Sequence, residues 1–130
     1  MLNFNIKTIP HADQRYPTVG DYFQKNGMVF FRISEMLDER YEWFVLIHEL
    51  TEYFLCKIAK ISLQDIDAFD TRFIKSPCPF HSEPGDCPDA PYFHQHQAAT
   101  MVEHICAILF GVSWKDYEEE VTKLYGRGNK

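Results

Sequence analysis

The stretch Trp43-Phe44-Val45-Leu46-Ile47-His48-Glu49-Leu50-Thr51-Glu52-Tyr53-Phe54-Leu55 sets a histidine and two carboxylates inside the most apolar helical segment of the chain. At about 100° per residue, His48 and Glu52 fall one turn apart on one face, in line with Tyr41, Leu55 and Ala59. Glu49 lies beside them. On the opposite side Trp43, Ile47, Leu50, Phe54, Ile58 and Ile61 recur at spacings of three and four, the pattern of a core-facing stripe. With both faces largely apolar, the pattern predicts a helix covered on most sides, around which the rest of the chain is arranged.

Ionisable groups in such a helix need compensation. Withdrawing them from water is costly unless a metal ion, an opposite charge or a gap in the packing offsets it. A histidine with a second ligand four residues on, and a glutamate directly after the histidine, follows the logic of the zinc-peptidase helix. There the first and fifth residues hold the metal and the second polarises a water. Here Glu52 stands at the fifth position, and zinc also accepts a carboxylate oxygen. The same pattern arises in any glutamate-rich helix, so the spacing alone leaves a purely structural role open.

At 130 residues the chain is long enough for one domain with a sizeable core. A hydrophobic content of 45% with 15% aromatics excludes a disordered chain. The net charge of −6 argues against a nucleic-acid backbone or an anionic membrane as the main partner. No apolar run approaches the ~18–20 residues of a membrane span, and Met1 to Lys7 lacks a basic region followed by an apolar run. The expected location is the cytoplasm. Cys56 and Cys106 fall on apolar helices, where buried free thiols are common, and Cys78 and Cys87 flank a turn-rich loop.

The expected fold class is α+β: a helix-dominated single domain, 1–130, with a small N-terminal sheet packed on the central helix. Residues 1–33 hold strands and loops, with strands at Asn3–Ile9 and Met28–Ile33. Asp21-Tyr22-Phe23 with Asn26-Gly27 reads as a turn or short helix feeding a hairpin-like reversal. The central helix is expected over 34–61, with Ser34 and Asp38 as N-cap candidates and Lys57 and Lys60 at its C-terminal end. Ser62-Leu63-Gln64-Asp65 resembles a capping box opening a short amphipathic helix with Asp67 and Asp70 on its exposed face.

Residues 76–91 form a loop rich in proline and cysteine, and within it Glu83-Pro84-Gly85-Asp86 is a tight-turn signature. A second long helix is expected over 89–111, with Asp89 as cap, Pro91 in the first turn and Gly111 at C′. A C-terminal helix covers 114–126, and Arg127 to Lys130 should fray.

On the second long helix His96, Thr100, Glu103 and Ala107 share a face, whereas His94 points away. His96 and Glu103 are about 10.5 Å apart along the axis, so both cannot bind one ion directly. The metal candidates are therefore His48, Glu52 and His96, with Glu103 as the alternative third ligand or as a residue orienting a ligand. Cys78, His81 and Cys87 form a competing cluster whose spacing matches no standard zinc framework.

Phe30-Phe31-Arg32-Ile33-Ser34 followed by Leu46-Ile47-His48-Glu49-Leu50, with His96-Gln97-Ala98-Ala99-Thr100 further on, resembles the ImmA/IrrE-type zincin-like metallopeptidases. The resemblance covers Met28 to Leu55 and His96 to Ala107, with Glu52 and His96 departing from that family's ligand types. It implies His48, Glu52 and His96 as ligands of zinc, or of another divalent transition metal, and Glu49 as general base in the hydrolysis of a peptide or protein substrate. The chain is also similar to short bacterial and phage proteins sharing a His-Glu-Leu-x-Glu helix, a Glu-Pro-Gly-Asp loop and an Ala-Pro-Tyr segment, a similarity that implies no activity.

Two other readings stand beside the hydrolase. One is a metal-binding or protein-interaction domain without catalysis. The other is a magnesium-dependent nucleotide pyrophosphatase, because Glu49, Glu52 and Glu103 echo the paired carboxylates of that class. Magnesium, however, prefers oxygen and would leave His48 and His96 idle.

Overall fold

In the computed structural model residues 1–128 are described, with the side chains from Arg127 onward left aside. The dense β-branched and aromatic run forms the middle strand of a three-stranded sheet. This strand, β3 (Met28–Ser34), buries Val29, Phe31 and Ile33 in the alternation of a pleated strand. β1 (Phe4–Ile9) runs parallel to it, with Phe4 opposite Val29, and β2 (Gly20–Lys25) runs antiparallel, with Gly20 opposite Ile33.

The order β1-β3-β2 leaves β2 at an edge. Asp21 to Lys25 is thus a strand, not the turn or short helix expected. Asn26 and Gly27, at φ 53° and 77°, make the hairpin reversal in the left-handed geometry that a tight connection requires. Pairing with β3 and the stacking of Phe23 on Phe30, 5.3 Å between ring centres, override the weak local signal.

The central helix α1 (Glu39–Ile58) is shorter than the expected 34–61. Asp38 caps it by accepting from the Arg40 N–H at 2.9 Å. Ser34 instead ends β3, its hydroxyl engaged by His11 and by the carbonyl of Thr18. At the other end Lys60 takes a positive φ of 60°, closing the helix before Ile61.

The inward face of α1 carries Phe44, Val45, His48, Glu52 and Cys56. The expected core stripe holds only in part: Leu50 and Ile61 pack against the core, whereas Trp43, Phe54 and Ile58 are 57–62% exposed. The face that meets the sheet and the second long helix is the one bearing the polar groups.

α2 (Leu63–Lys75) is capped by Ser62, which accepts from the Asp65 N–H at 3.0 Å. It buries Ile66, Phe73 and, against expectation, Asp70. α3 (Phe93–Leu109) starts after Tyr92, not at Asp89, because residues 88–92 turn to bury Ala90 and Tyr92. It ends in a Schellman motif, with Gly111 at φ 67°, its N–H donating to Ile108 O and that of Val112 to Ala107 O.

α4 (Trp114–Gly128) follows. The expected fraying of Asn129 and Lys130 lies outside the described residues, and the helix runs on past Gly126 to Gly128. Four helices and one small sheet make this an α+β domain. No helix among the described residues is long and apolar enough to cross a membrane.

α1 and α3 are antiparallel neighbours: Phe44 meets Phe110, His48 meets Glu103, and Glu52 meets His96. Two apolar clusters bracket the polar contacts. Val19, Ile33, Phe44, Val45, Ala107, Tyr117 and Leu124 form one; Tyr22, Val29, Phe31, Cys56, Ile66, Ala90 and Tyr92 form the other.

Candidate metal centre

Three atoms converge between the two clusters. Nε2 of His48, Oε2 of Glu52 and Nδ1 of His96 form a triangle with sides of 3.1, 2.8 and 3.1 Å, and all three residues are buried. Nitrogen and oxygen ligands 2.0–2.1 Å from a tetrahedral zinc stand roughly 3.3 Å from one another, so the trio needs to open by only a few tenths of an ångström.

The outer atoms decide what the inner ones present. Nδ1 of His48 lies 2.7 Å from Oε1 of Glu103, and a carboxylate can only accept, so this ring nitrogen carries the proton. Nε2 of His96 likewise donates to Oδ1 of Asp86 at 3.1 Å, with Glu83 Oε2 at 3.6 Å. In its neutral form each ring would turn a lone pair inward, toward Glu52 Oε2; protonated, it would donate to that oxygen. With both rings neutral, three lone pairs would face one point with each imidazole N–H held by a carboxylate behind it, so these three residues could hold a metal ion.

The charges point the same way. Burial alone would lower His48, but Glu103 and Glu52 outweigh it and hold the imidazole above its ordinary range. Burial would likewise lower His96, and Asp86, Glu52 and Glu83 raise it. Burial works against ionised Glu52, yet the two histidines hold its carboxyl down at about 2. The centre thus draws in positive charge. Supplying it with ring protons alone sets two N–H groups 3.1 Å apart, whereas one cation serves all three atoms.

The remaining oxygens are satisfied by tyrosines. Tyr22 of β2 donates to Glu52 Oε1 at 2.7 Å, and Tyr117 of α4 donates to Glu103 Oε2. Glu103 lies on the far side of the His48 ring from the trio, and the group that comes together is His48, Glu52 and His96.

A cavity of about 170 Å³ opens on this centre, lined by His48, Glu49, Glu52, His96, residues 18–22 and Asp70 among others. Glu49 faces β2 so closely that a Cβ on Gly20 would lie 2.6 Å from its Oε1 and 2.7 Å from Val45, a separation only glycine permits. Burial and the nearby charge of Glu52 push the Glu49 carboxyl well above its ordinary range.

Several contributors carry no signal in the sequence. Asp70 accepts from Tyr16 and Tyr92 at the cavity wall, and Arg15 bridges Asp21 and Asp67. The Glu83-Pro84-Gly85-Asp86 turn, a short 3-10 helix, lies against His96: a Cβ on Gly85 would come within 2.4 Å of the imidazole. Its residues mark a turn, and nothing local marks what the turn touches.

The loop cluster Cys78, His81 and Cys87 also comes together, apart from the His48 centre and with no ligand in common. Glu49, Glu52 and Glu103 do not gather into an oxygen-only group, because the His48 ring separates Glu103 from Glu52. No protein-family model matches the chain, and no curated protein or solved structure does so either.

Proposed function

We propose that this chain is a metal-binding protein of zincin-like architecture, and that the reaction its centre serves is hydrolysis of a peptide bond. One observation carries the reading: His48 Nε2, Glu52 Oε2 and His96 Nδ1 converge, with the outer nitrogen of each ring donating to Glu103 or Asp86. Two imidazoles and one carboxylate are a zinc-type donor set. Bound there, zinc or a similar divalent transition metal supplies Lewis acidity, polarising a carbonyl and acidifying water.

The chain's own residues do the rest. Glu103 and Asp86 fix the tautomers of His48 and His96, and Tyr22 fixes Glu52. Glu49 follows His48 in sequence and faces the same cavity. There its raised affinity for protons suits a group that takes a proton from water and returns it to a leaving amine. β2 is an edge strand whose residues 20–22 line the cavity, so an extended peptide has a strand to run beside. The acidic chain gives no support to a nucleic-acid substrate, and a site in the reducing cytoplasm agrees with the free thiols.

A second reading keeps the metal and removes the chemistry. The depth of the trio favours it, since all three side chains are less than a tenth exposed. The experiment is metal analysis of protein purified without added metal, followed by assay on a mixed peptide library. His48→Ala and His96→Ala should each lose one equivalent relative to wild type. Glu49→Gln should keep that equivalent and lose hydrolysis by about 10²–10⁴-fold. An unchanged metal content in both alanine variants refutes the site; metal lost as expected but no cleavage of any peptide by wild type leaves the non-catalytic reading.

A further inference from the structure

We propose that the loop between α2 and α3 carries a second metal site, structural in role, in which Cys78, His81 and Cys87 hold a thiophilic divalent ion of the zinc class. Each of the three offers a ligand atom within 4.8 Å of the other two, and Cys78 Sγ stands 3.0 Å from His81 Nδ1. Sulfur at about 2.3 Å and nitrogen at about 2.0 Å from a tetrahedral zinc are spaced roughly 3.6 Å apart, and two sulfurs roughly 3.8 Å, so the cluster fits the ion with small adjustments. Two thiolates and a neutral imidazole cancel the charge of a divalent ion. A neutral complex suits the setting, where Cys87 is buried and Cys78 and His81 are half-buried.

The second half of the loop is held by Asp86 on His96 and by buried Ala90 and Tyr92, but its first half, residues 76–82, has little else to hold it. Between α2 and α3 its regular structure is the short turn Pro84–Asp86, tied by the Cys87 N–H to Pro84 O at 3.1 Å, and its large apolar side chain Phe80 is 86% exposed. A metal held by Cys78, His81 and Cys87 would clip this first half to the buried second half at Cys87. A Cys78–Cys87 disulfide would close the same span but gives His81 no role, whereas the imidazole nitrogen on Cys78 Sγ is a third ligand in place.

The clip has a consequence for the other centre. Between the ligands lie Glu83, Gly85 and Asp86, which meet His96 from outside. Closing the loop on a metal holds those groups against the imidazole. The two sites share no ligand, so each assignment fails or stands without the other.

The test is cobalt(II) titration of the reduced, chelator-stripped full chain, with thiol alkylation read by mass spectrometry in the presence and absence of one added equivalent of zinc. The expected result is intense thiolate-to-cobalt charge-transfer absorption that persists in His48→Ala, disappears in Cys78→Ser and in Cys87→Ser, and is bleached by zinc. Zinc should also slow alkylation of Cys78 and Cys87 in wild type by tenfold or more, a readout that needs no variant to fold. Cobalt saturation without thiolate absorption, equal alkylation rates with and without zinc, or isolation of the chain with Cys78 disulfide-bonded to Cys87 would each overturn the assignment.

Discussion

Replacing Gly85 by alanine sets two effects of opposite sign against each other. The φ of Gly85 is not positive, so an alanine can adopt its backbone conformation. On that ground alone the substitution should stabilise by about 0.4–1 kcal/mol, through the reduced freedom of the unfolded chain. The added Cβ, however, would lie 2.4 Å from both Cγ and Nδ1 of His96 and 2.8 Å from Cε1.

The imidazole has little room to retreat, because Nε2 is held at Asp86 and the ring is packed between His48 and Tyr92. Overpacking of this kind costs roughly 1–3 kcal/mol. The expected net effect is therefore destabilisation by roughly 1–2 kcal/mol. At about 2.1 cal/mol/K per residue this lowers Tm by roughly 3–8 °C in thermal unfolding followed by circular dichroism.

Gly126→Ala is the control. This glycine lies in α4, where an added methyl would have nothing within 4 Å, and the substitution should gain about 0.5–1 kcal/mol. If Gly85→Ala also proves as stable as wild type and keeps its metal, the loop does not bear on His96 and the reasoning falls.

Tyr22→Phe removes the donor to Glu52 Oε1 and leaves a buried carboxylate oxygen short of a partner, so chemical denaturation should show a loss of about 1–3 kcal/mol. Glu103→Gln keeps the shape but places an amide NH2 before one of two donors, His48 Nδ1 or Tyr117 Oη; chelator competition should show metal affinity down by about 10–100-fold, and an unchanged affinity would remove Glu103 from its orienting role. Burial pushes the Asp70 carboxyl up to about 7 against the donated bonds of Tyr92 and Tyr16, above its ordinary value of about 3.9. The folded chain then holds this proton more tightly, so stability falls as pH rises from about 4 to about 7 and stays lowered above that; Asp70→Asn should gain on wild type by on the order of 2–4 kcal/mol between pH 4 and pH 8, and equal pH profiles would refute the shift.

Spacing along one helix made part of the centre legible. His48 and Glu52 share a face at i, i+4 whatever the rest of the chain does, and His96 and Glu103 share one on α3. The starting point of a helix does not alter that phase, so the late start of α3 at Phe93 leaves His96 where the periodicity put it. The antiparallel contact of α1 and α3 then assigned roles that spacing could not: His96 reaches Glu52, and Glu103, two turns on, reaches the back of His48. Asp86 could be named only as part of a loop able to fold back on the site, and Tyr22 and Tyr117 were invisible, since each comes to the centre from a different element through contacts distant in sequence. The strand Gly20–Lys25 was missed because its order comes from β3, not from its own residues.

The exposed part of the expected stripe follows from the same limit. α1 carries apolar residues on two sides, and periodicity measures only that they recur, not which side is covered. Turning Trp43, Phe54 and Ile58 inward would turn the face of His48 and Glu52 outward, toward water. The fold does the reverse, burying two histidines and two glutamates between α1 and α3 while those three side chains stay more than half exposed. Apolar burial alone does not select that arrangement, because buried ionisable groups cost free energy even when paired. The proposed cation, bound only by the folded chain, would favour it, since its binding free energy would add to the stability of the state that assembles its ligands. The departure from the hydrophobic pattern falls at the helix that carries the centre, as expected where a chain keeps polar groups inside for function.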